Sequence, residues 1–293
     1  MTTFIEFAKA HGVLIDYLPP IGLWKRYPTT DHPKTRNGAA LFNEHYGVVR
    51  NFATMSEHAT WRGQAPLIID KVARSAFIAT AKKEDEVKRR NAANKATWII
   101  GQCKMMPHEY LANKGFPMEA GLVWVEKNLL IIPMRVGKEL TSVQIISADG
   151  GKKFLDGGKT KLAAHVINNR GTNIICEGYA TALSVRRALT AFKLAYTIHI
   201  CFSASNALAV SRTLKQGVFI ADNDKPDING RQAGQVAAKD SGWTTWIAPD
   251  VGMDANDFEK NYGYFKLGSQ LKALIMGLGC NRNIQPAKNV YAA

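Results

Sequence analysis

Cysteine is scarce in this sequence and never closely paired. The four present, Cys103, Cys176, Cys201 and Cys280, are scattered, and no Cys-x-x-Cys occurs. That excludes a zinc ribbon and gives no disulfide framework. Cys176 and Cys201 lie inside apolar runs, as small core residues do. Long apolar runs are missing too: none approaches the ~20 residues of a membrane span. Met1–Glu6 lacks the charged start and apolar core of a signal peptide. Together these absences predict a soluble, cytoplasmic protein with no membrane partner. A Walker P-loop is also absent. Asp156-Gly157-Gly158-Lys159-Thr160 ends like one, but Lys153 stands where the pattern needs a glycine. No ATP motor is therefore expected in this chain. Acidic residues, finally, are in deficit: 24 Asp and Glu against 38 Lys and Arg give a formal net charge of +14. A surplus of that size predicts a polyanionic partner, of which nucleic acid is the usual one.

What is present is otherwise ordinary, at 46% hydrophobic and 21% charged, and 293 residues suffice for two domains. The few acidic residues stand at telling places. Thr172–Cys176 is an apolar run closed by Glu177-Gly178, and Ala180–Ala191 follows with helical spacing. A second run, Gly217–Ala221, ends in Asp222-Asn223-Asp224. A third, Trp243–Ala248, leads into Gly252-Met253-Asp254-Ala255-Asn256-Asp257. Strands alternating with helices imply right-handed crossovers and a parallel sheet. Ligands of such sheets sit beyond the carboxyl ends of the strands. Glu177, Asp222, Asp224 and Asp254 are thus expected to converge on one rim. Carboxylates gathered so repel one another unless a cation neutralises them. An all-oxygen ligand set suits Mg²⁺ or Mn²⁺ and not zinc.

The rest of the chain divides by pattern. Residues 1–65 form a strand-rich module, opened by an amphipathic helix over residues 2–18 that Pro19-Pro20 ends. Asn37-Gly38 and Tyr46-Gly47 read as turns of a small antiparallel sheet. Its aromatic residues alternate with cations, among them Trp24, Lys25, Arg26 and Arg36. That pattern fits a platform for single-stranded DNA and equally a sheet core with cations in water; the two readings are alternatives that can also coexist on opposite faces. His11, His32, His45 and His58 lack ligand spacing and are expected to hold no metal. Residues 66–106 read as a helical connector carrying a mixed charge run at 81–90. Residues 107–170 are strand-rich and basic, with a hairpin turn at Gly137-Lys138. Residues 171–265 hold the acidic rim, and 266–293 a helix around Leu267–Leu278 and a polar tail.

Three acidic elements in this order, Glu177-Gly178-Tyr179, Asp222-x-Asp224 and Gly252-x-Asp254-x-Asn256-Asp257, resemble the Toprim domain. That domain is shared by DnaG-type primases, topoisomerases and some nucleases. His108–Phe116, with Tyr110-Leu111 and Lys114-Gly115, is similar to the segment opening the primase core. Asn128–Arg135 resembles the family's strand ending in proline-x-arginine, and Asp149–Leu155 its lysine-x-leucine element. The resemblance implies an α/β fold, α+β overall: a Rossmann-like parallel sheet preceded by a basic primase-core subdomain. It implies that Glu177, Asp222 and Asp224 are catalytic and that these, with Asp254 and Asp257, hold the metal. Arg135 and Lys153 inherit the nucleotide and template contacts, with Lys152 and Lys161 nearby. Ser205 and Asn206 match the family's small polar loop, and Lys225 and Arg231 flank the second acidic element.

Two departures qualify the likeness. Thr181 stands where DnaG-type enzymes carry a further aspartate, and Glu177–Leu183 is closer to phage- and plasmid-type primases. The zinc ribbon is missing, so template-start recognition comes from the N-terminal module or is lost. The reading that follows is a small phage- or plasmid-type DNA primase, acting with nucleoside triphosphates on a single-stranded DNA template, its replicative helicase being a separate protein. A Toprim nuclease using the same carboxylates and a non-catalytic DNA-binding accessory protein are the alternatives.

Overall fold

The computed structural model describes residues 2–43, 45–52, 54–55, 58–63, 71–226, 230 and 232–280. They fall into two compact units, one formed mainly by residues 1–87 and the other by the remainder.

The first unit opens with α1 (Phe4–Ala10). Thr3 caps it, its Oγ1 accepting from the Glu6 amide while Glu6 accepts from the Thr3 amide in return. The helix is shorter than the periodicity predicts. Gly12, at φ +71°, turns the chain, and Val13 then bridges to Thr29. Four strands follow, β1 (Trp24–Tyr27), β2 (Gly38–Asn43), β3 (Tyr46–Asn51) and β4 (Ala59–Arg62), in an antiparallel sheet of that order. Gly47 is no turn residue. It lies within β3, where a Cβ would stand 2.2 Å from the ring of Phe4. The Phe4 ring fills the space a side chain would need.

A helix of 31 residues, α2 (Lys71–Gly101), leads into the second unit. There β5 (Cys103–Met106), α3 (Glu109–Asn113), β6 (Gly121–Trp124), β7 (Leu129–Val136), β8 (Glu139–Ser147) and β9 (Lys152–Phe154) make an antiparallel meander in sequence order. Gly137, at φ +60°, makes the expected two-residue turn between β7 and β8. Ala96 and Ile99 of α2 pack with Trp124, Ile131 and Val143.

The remaining elements are β10 (His165–Asn168), β11 (Thr172–Cys176), α4 (Tyr179–Ala191), β12 (Tyr196–Ile200), α5 (Ala204–Ser211), β13 (Val218–Ala221), α6 (Ala233–Ser241), β14 (Thr244–Ile247), α7 (Ala255–Tyr262) and α8 (Tyr264–Cys280). The sheet order is β10-β12-β11-β13-β14; β10 is antiparallel and the rest run parallel. Alternate residues serve opposite faces. Ile174, Ile198, Val218 and Ile220 pack with α4, α7 and α8, while Ile175, Phe219 and Ala221 pack with α5 and α6. Both faces being covered, β13 and the Ile174–Cys176 part of β11 read as apolar runs. The fold is thus α/β with added antiparallel sheets, as the sequence predicts. Among the described residues no helix is long and apolar enough to cross a membrane.

Candidate active site

β11 and β13 are neighbours in register, Ile174 beside Val218 and Ile175 beside Phe219. Their carboxyl ends are level, so Glu177 and Asp222 emerge side by side. After β11 the chain passes through α4 to β12 on one side, then returns through α5 to β13 on the other. The strand order reverses between β11 and β13, which is where open α/β sheets bind ligands.

A cavity of about 170 Å³ opens at this point. Glu177, Asp222 and Asp254 supply three carboxylates, Lys114 and Lys152 two ammonium groups, and Tyr110, Gln144, Thr181 and Phe202 line the remainder with Gly178 and Ala180. Burial pushes the Asp222 carboxyl up to about 8, helped by repulsion from Glu177, Asp254 and Asp224 and opposed by Lys152. Burial likewise raises Glu177 to about 7; Asp224 adds repulsion, and the amide of Ala204, donating to the carboxylate, works against both. Lys152 is lowered, first by desolvation and then by Lys114. Its ammonium lies 6.0 Å from the centre of the Tyr110 ring. Burial of that tyrosine lifts its phenol to about 12.

The site holds charge that the protein itself does not satisfy. Glu177 Oε1 and Asp222 Oδ1 are buried without a hydrogen-bond partner. A buried, unpaired carboxylate oxygen is costly unless a cation meets it or a proton occupies it. No three described His, Cys, Asp or Glu side chains form a complete metal-ligand set. The fit is that of a pair of carboxylates, with Asp254 and Asp224 close enough to act on Asp222. Such a pair suits Mg²⁺, which is commonly held by one or two carboxylates and keeps several waters.

Three other residues hold the rim in shape. Asn223, buried between the two aspartates, accepts from Gln232 Nε2 and Gln235 Nε2, each at 2.8 Å, and donates to the Ala248 carbonyl. Its backbone pairs with Met253 and Gly252, joining the end of β13 to the loop before α7. Gly234 opens α6 against the carboxylates: a Cβ there would stand 3.0 Å from the Asp222 carbonyl and 3.2 Å from Glu177 Oε1. Asp254 caps α7, accepting from the amides of Asn256 and Asp257, and Thr181 Oγ1 donates to its other oxygen at 3.3 Å.

No protein-family model matches the chain. Among solved structures, it is similar to the bacteriophage T7 lagging-strand DNA polymerase complex with primase domains of two gp4 subunits bound to an RNA/DNA hybrid and dTTP. That match has 16% identity, covers 58% of this chain and 92% of the other, and has a TM-score of 0.40. A second match is the primase fragment of the bacteriophage T7 primase-helicase protein, at 17% identity, 56% and 69% coverage and a TM-score of 0.36. Likeness at this level carries no inference about this chain.

The sequence-predicted residues divide accordingly. Glu177, Asp222 and Asp254 share the cavity, and Asp224, exposed at the rim, acts on the first two. Asp257 closes the α7 capping box through the Asp254 amide. Lys152 lines the cavity, as β9 alternation requires of the face that also carries Phe154, whose ring meets Phe202. Lys153 is on the opposite face of that strand. Arg135 is exposed, donating to the Lys138 carbonyl, while its backbone pairs with Ala164. Asn206 is a clasp: it accepts from the Leu162 amide and donates to the carbonyls of Ala163 and Cys201. Ser205, Lys161 and Lys225 are exposed, and Arg231 lies outside the described residues. Trp24, Lys25, Arg26 and Arg36 belong to the first unit.

Lys114, Gln144, Phe202, Asn223 and Gly234 were not singled out from sequence. Lys114 stands in the Tyr110–Gly115 segment, and Gln144 is the polar residue of an apolar strand, so both had a signal. Phe202, held at φ +69° with its amide on the Glu177 carbonyl, had none.

Proposed function

We propose that this chain is a DNA primase of the Toprim type, joining nucleoside triphosphates into short oligonucleotides on single-stranded DNA. One observation carries the reading: two adjacent, half-buried carboxylates, each with one buried bare oxygen, face two lysines across one cavity, where the strand order reverses. Glu177 and Asp222 would hold Mg²⁺ or Mn²⁺, with Asp254 and Asp224 in support. A bound divalent ion supplies positive charge to the attacking and leaving oxygens of an in-line displacement. Lys114 and Lys152 bind the triphosphate as point charges. Glu177 would serve as a ligand of that ion or, in place of that role, as the base that accepts the proton of the attacking 3′-hydroxyl. Thr181 and the α7 amides fix the Asp254 carboxylate. Tyr110 and Phe202 line the cavity with the two lysines.

The test is incorporation of labelled nucleotide on single-stranded DNA with Mg²⁺ or Mn²⁺, wild type against Asp222→Ala and Glu177→Ala. Oligonucleotides from the wild type, absent in both variants, support the proposal. Metal-dependent loss of the template, abolished by the same substitutions, would make the protein a nuclease.

A further inference from the structure

The register of the first unit's sheet sorts its aromatic residues onto two faces. Tyr27, Phe42 and Trp61 turn inward, packing with Phe4 of α1. On the other face, Trp24 stands in one cross-strand row with Leu41 and Val48, and Arg26 in the next with Ala39 and Arg50. Tyr46 and Arg62 are direct partners on that same face. Phe52 continues it two residues beyond Arg50. The guanidinium groups of Arg26 and Arg50 lie 4.3 and 5.0 Å from its ring centre. Trp24 is 56% exposed and Phe52 43%, whereas Ala39 and Val48 at the centre of the face are buried. No acidic residue occupies a described strand position there.

A sheet core does not account for this outer face. Two exposed arginines, Arg26 and Arg62, two exposed aromatic rings and a third partly exposed one stand on this surface. We propose that this face is a binding platform for single-stranded DNA, with bases stacking on Trp24, Tyr46 and Phe52 and phosphates held by Arg26 and Arg62. Stacking on aromatic rings tolerates any base sequence, and a strip of cations tracks the backbone. Arg26 is already steered, its Nε donating to the Arg36 carbonyl at 2.9 Å. The platform differs from the residues its sequence first suggested. Lys25 is on the opposite face, near the Tyr17 ring, and Arg36 contributes its carbonyl. That the strand is DNA rests on the function proposed above.

The test is fluorescence anisotropy of a labelled oligo-dT bound by the full chain across a salt series. Stacking contributes ~1–3 kcal/mol per base, so Trp24→Ala with Phe52→Ala should weaken binding about tenfold or more at every salt concentration. Trp24→Phe should restore most of the loss attributable to Trp24, and thermal melting would show the variants folded. Arg26→Ala with Arg62→Ala should flatten the slope of log K against log salt by about 1.4, at ~0.7 per phosphate contact on a single strand. Folded aromatic variants that bind as the wild type would overturn the platform, as would tighter binding of duplex DNA or of oligo-rU. Wild-type protein that binds oligo-dT but incorporates no nucleotide would keep the platform and remove the polymerising reading. Incorporation that occurs while oligo-dT affinity ignores the aromatic pair would do the reverse.

Discussion

At the carboxyl ends of β11 and β13, like charges are buried together and destabilise the fold until something neutralises them. On the outer face of the N-terminal sheet, charge of the opposite sign is exposed on Arg26 and Arg62, and Arg26 rests on the Phe52 ring. The first arrangement suits a small, hard partner held by strong local fields. The second suits a long, sequence-variable partner held through many weak contacts. The difference is one of burial more than of residue type, because desolvation is what makes Glu177 and Asp222 reactive toward a cation or proton.

That contrast can be broken at the acidic site first. Asp222→Ala should lower nucleotide incorporation about 100-fold or more, in line with the loss of a preorganised electrostatic group. Asn223→Ala tests the support beneath it. Removing its amide leaves Gln235 without its acceptor and the Ala248 carbonyl without its donor, while Gln232 keeps the Asp224 carbonyl, so a cost of about 1–3 kcal/mol is expected. Thermal melting would register this as a drop of several degrees; an unchanged melting temperature would remove Asn223 from the account. Lys152→Ala should raise the KM for nucleotide about tenfold while Lys153→Ala leaves it near wild type. Equal effects would mean that β9 alternation does not decide which lysine meets the triphosphate.

The pH dependence is smaller but carries a definite sign. Unfolded, the Glu177 and Asp222 carboxyls release their protons near pH 4; folded, they hold them to about 7 and 8. The native state binds the more protons in between, so the metal-free protein should lose stability as pH rises from about 4 to about 8. Mg²⁺ or Mn²⁺ should raise the melting temperature more at pH 8 than at pH 5, and Asp222→Asn should flatten both trends. Gly234→Ala is the mildest probe. Its methyl presses on Glu177 Oε1 and the Asp222 carbonyl, so a two- to threefold loss of metal affinity is expected, measurable by titration.

Much of the acidic rim was legible because a strand buried on both faces is written as an unbroken apolar run. What ends such a run must lie at the sheet's edge. Glu177 and Asp222 could therefore be located without a structure, whereas Asp254 follows β14 only after residues 248–253, as the cap of α7. The lysines opposite were harder. Lys152 and Lys153 are chemically equal in sequence, and only the packing of Phe154 against Phe202 shows which of them faces the cavity. Asn223, placed between two aspartates, reads as another rim residue, yet its side chain points into the fold and ties two loops together. Local rules misled at Gly47, where tertiary contact with Phe4 and not a turn requires glycine. The two faces of the N-terminal sheet became separable only with its register, since a shift of one residue would exchange Trp24 with Lys25.

The central claim is that the Glu177–Asp222 pair is a divalent-cation site, and direct Mn²⁺ titration by calorimetry at pH 8 tests it most simply. The account predicts saturable binding by the wild type and at least tenfold weaker binding by Asp222→Asn. Binding that ignores that substitution, or no binding at millimolar Mn²⁺, would contradict it.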